Sequence, residues 1–185
     1  MSTIAMTEPI TETSPQFKAR IAGVFYLLTF VMGLYALLVR SRFSFAAGLI
    51  AAACYIAVTL LFYYMFKPVN KRLSLLAALI SLAGCVIGPV GLLVHFLSRI
   101  NPLVFFGFYC LLIGYLIFRS TFLPQILGVL MAFAGLGWLT FLSSPLANYL
   151  SPYNMVPGLL GEGSLTLWLL VMGVNAQKWK ESRVQ

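Results

Sequence analysis

Long apolar segments fill most of this sequence, and they restrict its fold more than any other feature does. A helix needs about 20 apolar residues to cross the hydrocarbon core of a membrane, which is about 30 Å thick. Segments in lipid must satisfy their own backbone hydrogen bonds, so they form helices. We predict an all-α integral membrane protein, a bundle of six transmembrane helices at about residues 19–39, 45–66, 73–97, 103–118, 124–142 and 158–176.

The composition agrees with a membrane location. Of the 185 residues, 61% are hydrophobic and only 9% are charged, which is too little polarity to cover a water-soluble domain of this size. Residues 1–17 are polar and contain no apolar core, so we expect a disordered tail without a cleavable signal peptide. Residues 18–178 then form the membrane domain, and residues 179–185 form a second tail.

Basic residues are divided unequally between the two sides that six crossings would create. Nine Lys or Arg residues fall on the side of the termini and three on the other. The positive-inside rule therefore predicts cytoplasmic termini. The basic residues form no single block, so the net charge of +8 indicates topology and not nucleic-acid binding. The nine are Lys18, Arg20, Lys67, Lys71, Arg72, Arg119, Lys178, Lys180 and Arg183, and the three are Arg40, Arg42 and Arg99.

Glu162 is the one acidic residue inside a predicted span, because the other three glutamates lie in the polar tails and the chain has no Asp. An ionisable group in a span costs a few kcal/mol unless it is partnered, so Glu162 is a functional candidate. A structural alternative stays open. The helix dipole favours a Glu in the first turns by about 0.3–1 kcal/mol, and Arg99 or Arg40 could pair with it near the interface.

Small residues follow one face of the third predicted span at alternating steps of four and three. Such a stripe is typical of a face that packs against other helices. The same steps continue to His95 and Arg99, so we expect the single histidine to point into the bundle at its external end. The stripe comprises Ala77, Ser81, Gly84, Gly88 and Gly91.

Glu162 is turned inward by the same geometry, since it shares a helix face with Gly158 and Gly173. We expect Glu162 and His95 to lie about one turn, roughly 5 Å, inside the external ends of their helices. Both are candidate catalytic residues. The candidate ligand-binding residues at the same end are Arg99, Arg40, Asn148, Tyr149, Tyr153 and Asn154.

Other polar or reactive side chains have simpler interpretations. Tyr55, Thr59 and Tyr63 share one face of the second span and would line a cavity, unless the Thr59 hydroxyl bonds to its own backbone. We interpret the three cysteines, Cys54, Cys85 and Cys110, as packing residues. The expected interfacial anchors are Trp138, Tyr149, Tyr153 and Trp179.

Several kinds of chemistry are missing from the sequence. Without clustered carboxylates the chain has no site for Mg²⁺ on a diphosphate. A single histidine excludes zinc motifs with two histidines. No Lys lies inside a predicted span to form a Schiff base, and no glycine loop suits a nucleotide. We therefore expect no metal and no cofactor.

Two stretches carry a resemblance to a known family. They are FRSTFLPQILG, from residue 118, and LLGEGSLTLWLLVMGVN, from residue 159. Together with ARIAGVFYLLTFVMGLYA near the N-terminus, they resemble a widespread bacterial family of small multi-pass membrane proteins, domain of unknown function 4386. The likeness extends over about residues 18–178.

The family's typical form has a Gly-Glu pair at Gly161 and Glu162, an Arg like Arg20 entering the first helix, and an Arg like Arg119 before Phe-Leu-Pro. This sequence keeps all of them. The resemblance therefore implies a multi-pass helical fold and a Glu162 that belongs to the family pattern. It implies no activity.

Four functional hypotheses remain open. The first is a pocket near the external leaflet that binds a small or lipophilic molecule, with Glu162 as polar anchor or proton donor. The second is a metal-independent membrane cyclase or isomerase with Glu162 as general acid. The third is a proton-coupled exporter, for which a homodimer is expected. The fourth is a purely structural membrane protein. The expected partners are membrane lipids and, in the first three cases, a small molecule.

Overall fold

A computed structural model of the chain describes residues 14–39, 41–91 and 101–183, with only the backbone for residues 89–91. Within these ranges the protein is helical and contains no β-strand, which confirms the predicted all-α class. The helices are α1 (Pro15–Leu38), α2 (Ser44–Phe66), α3 (Lys71–Gly91), α4 (Leu103–Arg119), α5 (Gln125–Leu139), α6 (Ser144–Leu150), α7 (Val156–Val171) and α8 (Ala176–Ser182).

The six longer helices pack as a closed ring. Helices α1 to α5 each pack against the next in sequence, and α7 closes the ring between α5 and α1. The short helix α6 and two 3-10 turns (Thr140–Leu142 and Tyr153–Met155) connect α5 to α7. In this ring α3 and α7 are not neighbours, because α4 and α5 lie between them on one side and α1 and α2 on the other.

Four of the described helices are long and apolar enough to cross a membrane: α1, α2, α3, and α5 with its following turn. Helix α4 is apolar but has only 17 residues. Helix α7 gives a fifth candidate span if it is taken together with α8, from which it is bent by 107°. These helices are compatible with a multi-pass membrane protein, while the count of six crossings stays a prediction.

The surface of the ring is apolar and its interior contains polar groups. Leu37, Leu136 and Leu167 are each more than half exposed, whereas Ser81 and Glu162 are buried. Water would penalise such a large apolar exterior, and lipid does not. This distribution suits a bundle surrounded by hydrocarbon.

Glycines allow α4 and α5 to touch along their backbones. A Cβ atom placed on Gly114 would lie 2.7 Å from the carbonyl oxygen of Gly128, and one on Gly128 would lie 2.7 Å from that of Gly114. Gly107 and Gly135 face each other two turns further along the same pair. Close approach through small residues is a common way for helices to associate in lipid, where apolar side chains gain little from contact with each other.

The small-residue stripe on α3 does face a helix. Ala77, Ser81 and Gly84 are buried, and a Cβ on Gly84 would lie 3.0 Å from the Cβ of Phe105 in α4. This part of the prediction is confirmed. His95 and Arg99, to which the same steps lead, lie outside the described residues, as does Arg40.

Helix boundaries differ from the prediction at both ends of the chain. Helix α1 begins at Pro15, where the Ser14 hydroxyl accepts a hydrogen bond of 3.2 Å from the Phe17 amide. Helix α7 ends at Val171, before the predicted residue 176, because Gly173 adopts a φ of +69° that ends the helix. Asn175 then caps α8, which includes residues 179–182 of the predicted tail.

Hydrogen bonds bring several chain segments together at one end of the ring. The Gln16 side chain donates to the carbonyl of Met172 at 3.3 Å, and the Asn175 amide donates to that of Phe122 at 3.1 Å. The Trp179 indole donates to the carbonyl of Met65 at 2.9 Å. We call this the basic end, because the start of α1, the α2–α3 turn, the end of α4 and α8 carry the nine Lys and Arg residues counted above.

Candidate functional site: a buried carboxyl group among aromatic rings

Glu162 lies in the interior of the ring and is only 5% exposed. The Tyr26 hydroxyl donates to its Oε2 at 2.6 Å. The Trp138 indole N–H donates to its Oε1, and the Cys110 thiol approaches the same oxygen at 3.7 Å. Every one of these partners is neutral, and they belong to three other helices, α1, α5 and α4.

Two glycines bring α7 close enough to α5 for the Trp138 bond. A Cβ on Gly158 would overlap the Trp138 ring, and one on Gly161 would overlap the carbonyl of Leu130. By contrast, nothing lies within 4 Å of the Cβ position at Gly163. Two of the three glycines near Glu162 are therefore required by packing, and the third is not.

Helix α1 reaches Glu162 through another close contact. A Cβ on Gly23 would lie 2.9 Å from the Leu170 amide nitrogen of α7. One turn after Gly23, Tyr26 is fully buried and its ring packs edge-on against Phe62 with centroids 6.0 Å apart. Rings on this side fix the Tyr26 side chain, so its hydroxyl is held toward the carboxyl group.

Two further tyrosines complete the ring cluster. Tyr55 of α2 packs edge-on against Tyr26 at 5.6 Å and against Tyr109 of α4 at 5.8 Å. The hydroxyl groups of Tyr55 and Tyr109 are buried, and neither makes a hydrogen bond of normal geometry with a described residue, although the Tyr55 hydroxyl interacts weakly with Glu162 and the Tyr109 hydroxyl weakly with Thr59. Buried polar groups normally have hydrogen-bond partners, so these two hydroxyls, which lie near Glu162, can still form hydrogen bonds with a bound molecule. We call Tyr26, Tyr55, Tyr109, Cys110, Trp138 and Glu162 the Glu162 cluster.

Thr59 extends the polar interior toward α3. Its hydroxyl bonds to its own helix, at 2.9 Å from the carbonyl of Tyr55, and also lies 2.6 Å from the Ser81 hydroxyl. The inward-facing polar side predicted for the second span is present at Tyr55 and Thr59, which are both buried, whereas Tyr63 is only half-buried. Its hydroxyl groups meet other helices at this point and do not face an open cavity.

The members of the Glu162 cluster that contact the carboxyl group lie at different distances from the ends of their helices. Tyr26 is near the middle of α1 and Cys110 near the middle of α4, while Trp138 and Glu162 are near the ends of their shorter helices. The end of α5 and the start of α7 are joined by the segment that contains α6 and the two 3-10 turns.

The other predicted ligand-binding residues do not join the cluster. Tyr149 is 85% exposed and Tyr153 is 75% exposed, and Asn148 is exposed as well. Asn154 is buried and donates to the carbonyl of Ala147 at 3.4 Å. The remaining predicted site residues, His95, Arg99 and Arg40, lie outside the described residues.

Sequence reasoning missed Tyr26, Cys110 and Trp138 as partners of Glu162. Trp138 was expected at the interface because it lies near the end of its span, but its ring packs against α7 and its N–H reaches the carboxyl group. Tyr26 had a usable signal. It follows Ala19 and Ala22 at helical spacing, and all three residues are completely buried.

Two of the clefts on the described surface lie at the basic end. One has a volume of about 280 Å³ and the other about 400 Å³. Glu162 lines neither of them. Among the described residues, no three His, Cys, Asp or Glu side chains are grouped closely enough to hold a metal ion.

Comparison with known proteins identifies the family. A model of the family described as domain of unknown function (DUF4386) matches residues 40–100 and 94–173. An uncharacterized protein of Archaeoglobus fulgidus is 28% identical over 127 residues, which cover 64% of this chain and 76% of that protein. No solved structure matches. The chain therefore belongs to the DUF4386 family.

Proposed function

We propose that this protein binds a small lipophilic molecule inside the ring, with Glu162 as the polar anchor. The observation that supports the proposal is the pair of buried, unpartnered hydroxyls of Tyr55 and Tyr109 beside a carboxyl group whose partners are all neutral. An unpartnered buried hydroxyl costs about 1–3 kcal/mol. A ligand that bonds to these hydroxyls recovers that free energy.

The chemistry of the Glu162 cluster defines the polar part of the ligand. A carboxylate has about four positions for hydrogen-bond donors, and the protein occupies three of them. The fourth is open to a donor on the ligand, such as a hydroxyl or an amine. The aromatic rings would contact the hydrocarbon part, and they favour a cationic amine over a hydroxyl through cation–π attraction.

The route to the site leads through the lipid-facing side of the ring. Glu162 lines neither of the two clefts at the basic end, so we expect the ligand to enter between helices. The Cβ position of Gly163, next to Glu162 on α7, faces open space and leaves room on this side of the helix. The expectation that the pocket opens toward the external leaflet belongs to this proposal.

The proposal includes a location in the cell membrane with several crossings and both termini in the cytoplasm. The support is the concentration of Lys and Arg at the end of the ring that holds the start of α1 and all of α8. Positive charge stays on the cytoplasmic side during insertion. In a bacterium this is the inner membrane.

A general acid is the second candidate function, and the ring cluster favours it. Aromatic faces stabilise the carbocations that form in cyclisation and isomerisation. However, three donors point at the Glu162 oxygens, an arrangement that suits an ionised carboxylate better than a carboxylic acid with a proton to give. The geometry therefore supports binding more strongly than acid catalysis.

Photolabelling tests the binding proposal. The purified protein in lipid nanodiscs is irradiated with three diazirine probes of equal chain length: a fatty alcohol, a fatty amine and a fatty acid methyl ester. Intact mass spectrometry gives the labelled fraction. We expect the alcohol or the amine to label the protein well above the ester, since only these two carry a donor for Glu162.

Two variants make the test specific. Glu162→Gln should reduce labelling at least tenfold, while the matched variant Glu181→Gln, at an exposed position on α8, should label as the wild type does. Tyr55→Phe removes only a hydroxyl without a partner, so it should fold normally and still label less. Equal labelling by the ester, or full labelling of both Glu162→Gln and Tyr55→Phe, would refute the proposal.

A further inference from the structure

The smaller cleft at the basic end combines positive charge with apolar walls. It has a volume of about 280 Å³ and lies between the start of α1, the end of α2 and α8. Its cationic lining residues are Lys18, Lys67 and Arg183. Tyr64, Met65 and Trp179 form much of the rest of the wall. Such a lining suits a molecule that is anionic at one end and apolar at the other.

The wall formed by α8 is fixed in place. Trp179 is buried and its indole N–H donates to the carbonyl of Met65 at 2.9 Å. The guanidinium group of Arg183 lies over the Trp179 ring at 5.2 Å from its centroid. Asn175 caps the first turn of the helix by accepting from the Lys178 amide at 3.1 Å. The cleft is therefore bounded by ordered helices.

The position of the cleft also points to lipid. Helix α8 is bent by 107° from α7, so it lies close to the membrane plane if α7 crosses the membrane. The cleft is then level with the phosphate groups of the surrounding lipids. No acidic side chain lines it, and Glu181, the described acid on α8, accepts instead from the Gln177 side chain at 3.3 Å.

We propose that this cleft binds the headgroup of an anionic phospholipid. Lys18 and Lys67 contact the phosphate diester, and the acyl chains lie along the apolar wall beside Met65 and Leu61. A free phosphate ion would also be anionic, but it would leave that apolar wall without a partner. The site is separate from the Glu162 cluster, so neither proposal depends on the other.

Native mass spectrometry in detergent tests the lipid site with phosphatidylglycerol and phosphatidylcholine of identical chains as probes. We expect the wild type to retain phosphatidylglycerol preferentially. The double variant Lys18→Gln/Lys67→Gln should bind it about thirtyfold more weakly, since each lysine near an anionic surface contributes about fivefold. The matched double variant Lys71→Gln/Arg72→Gln removes two exposed charges outside the cleft and should keep the wild-type preference.

Three outcomes would overturn the proposal. One is an equal loss of phosphatidylglycerol in both double variants, which would mean that net charge alone attracts the lipid. Another is equal retention of the two lipids by the wild type. The third is displacement of phosphatidylglycerol by millimolar glycerol phosphate, which would show that the cleft takes soluble phosphate. Retention of the preference in Glu162→Gln is expected, because that residue is not part of the cleft.

Discussion

Glu162 connects four helices through side chains that are themselves neutral. It sits on α7 and accepts hydrogen bonds from α1 and α5, with the α4 thiol beside them. Such a hydrogen bond contributes about 0.5–1.5 kcal/mol if the carboxyl group is protonated and about 1.5–3 kcal/mol if it is ionised, so it stabilises the ring in either form. The carboxyl group therefore holds helices together, in addition to its proposed role in binding a ligand. Substituting its hydrogen-bond partners separates these two roles.

The Trp138→Phe variant should lower the free energy of unfolding by about 1–3 kcal/mol. It keeps an aromatic ring against Gly158 but leaves Oε1 of Glu162 with only the weak thiol contact. Denaturant unfolding in detergent, followed by circular dichroism, measures the change. The Tyr149→Phe variant, at an 85% exposed position, should stay within about 0.5 kcal/mol of the wild type. Equal stability of the two variants would contradict the structural role of the indole bond.

The tyrosines of the Glu162 cluster should respond in opposite directions. Tyr26→Phe removes a donor to Glu162 and should destabilise the protein by about 1–3 kcal/mol. Tyr109→Phe removes a buried hydroxyl without a partner and should leave stability unchanged or raise it by up to about 1 kcal/mol. The same unfolding experiment compares them. A large loss in Tyr109→Phe would mean that its hydroxyl is already bonded in the ligand-free protein.

The closest contacts between helices occur at glycines, which have no side chain to keep the backbones apart. Helix α7 approaches α5 at Gly158 and Gly161, and it approaches α1 at Gly23. The adjacency of Gly161 and Glu162 is thus explained in physical terms. The glycine permits the approach of α7 to α5 that puts the neighbouring carboxyl group within reach of Trp138.

Alanine substitutions on α7 give a direct test of this packing. Gly161→Ala should lower the free energy of unfolding by about 2 kcal/mol or more, because the new methyl group would overlap the backbone of Leu130. Gly163→Ala introduces the same methyl group into open space and should be neutral or stabilising by up to about 1 kcal/mol. Thermal unfolding of both variants in detergent provides the measurement. If the two variants behaved alike, close packing of α7 on α5 would be wrong.

Element positions were largely predictable, but their ends were not. Hydrophobicity locates each long segment because a span must be apolar over its whole length. It does not locate the end of α7, where the sequence stays apolar through Met172 and only the backbone of Gly173 turns the chain. Hydrophobicity also predicts only a loop for the uncharged stretch 143–157. In the structure this stretch contains α6 and a 3-10 turn.

The ring as a whole has two chemically different ends. One holds the turns and termini that carry most of the basic residues, and the other holds α6 and the α1–α2 connection. Its exterior is apolar, and the Glu162 cluster lies in its interior. This arrangement predicts how the molecule sits in a cell membrane, and the prediction can be tested without knowledge of a ligand.

Cysteine labelling in intact cells tests the orientation. The three native cysteines are buried and should react little with a membrane-impermeant maleimide. The variant Tyr149→Cys should be labelled in intact cells, since residue 149 is exposed at the predicted external end. The variant Gln177→Cys on α8 should be labelled only after the membrane is permeabilised. The reverse pattern would place the termini outside.

The sequence by itself determined the helical class, the apolar segments, the uneven distribution of basic residues and the selection of Glu162. Each of these follows from composition or from spacing along one chain, and the demands of lipid make such local signals strong. Only the tertiary structure decided which side chains meet Glu162. Tyr26, Cys110 and Trp138 lie 136, 52 and 24 residues away in sequence, and they reach it because α7 closes the ring between α5 and α1. Contacts between distant helices depend on how all the faces pack at once, and a periodicity within one segment carries no information about the partner that its face will find.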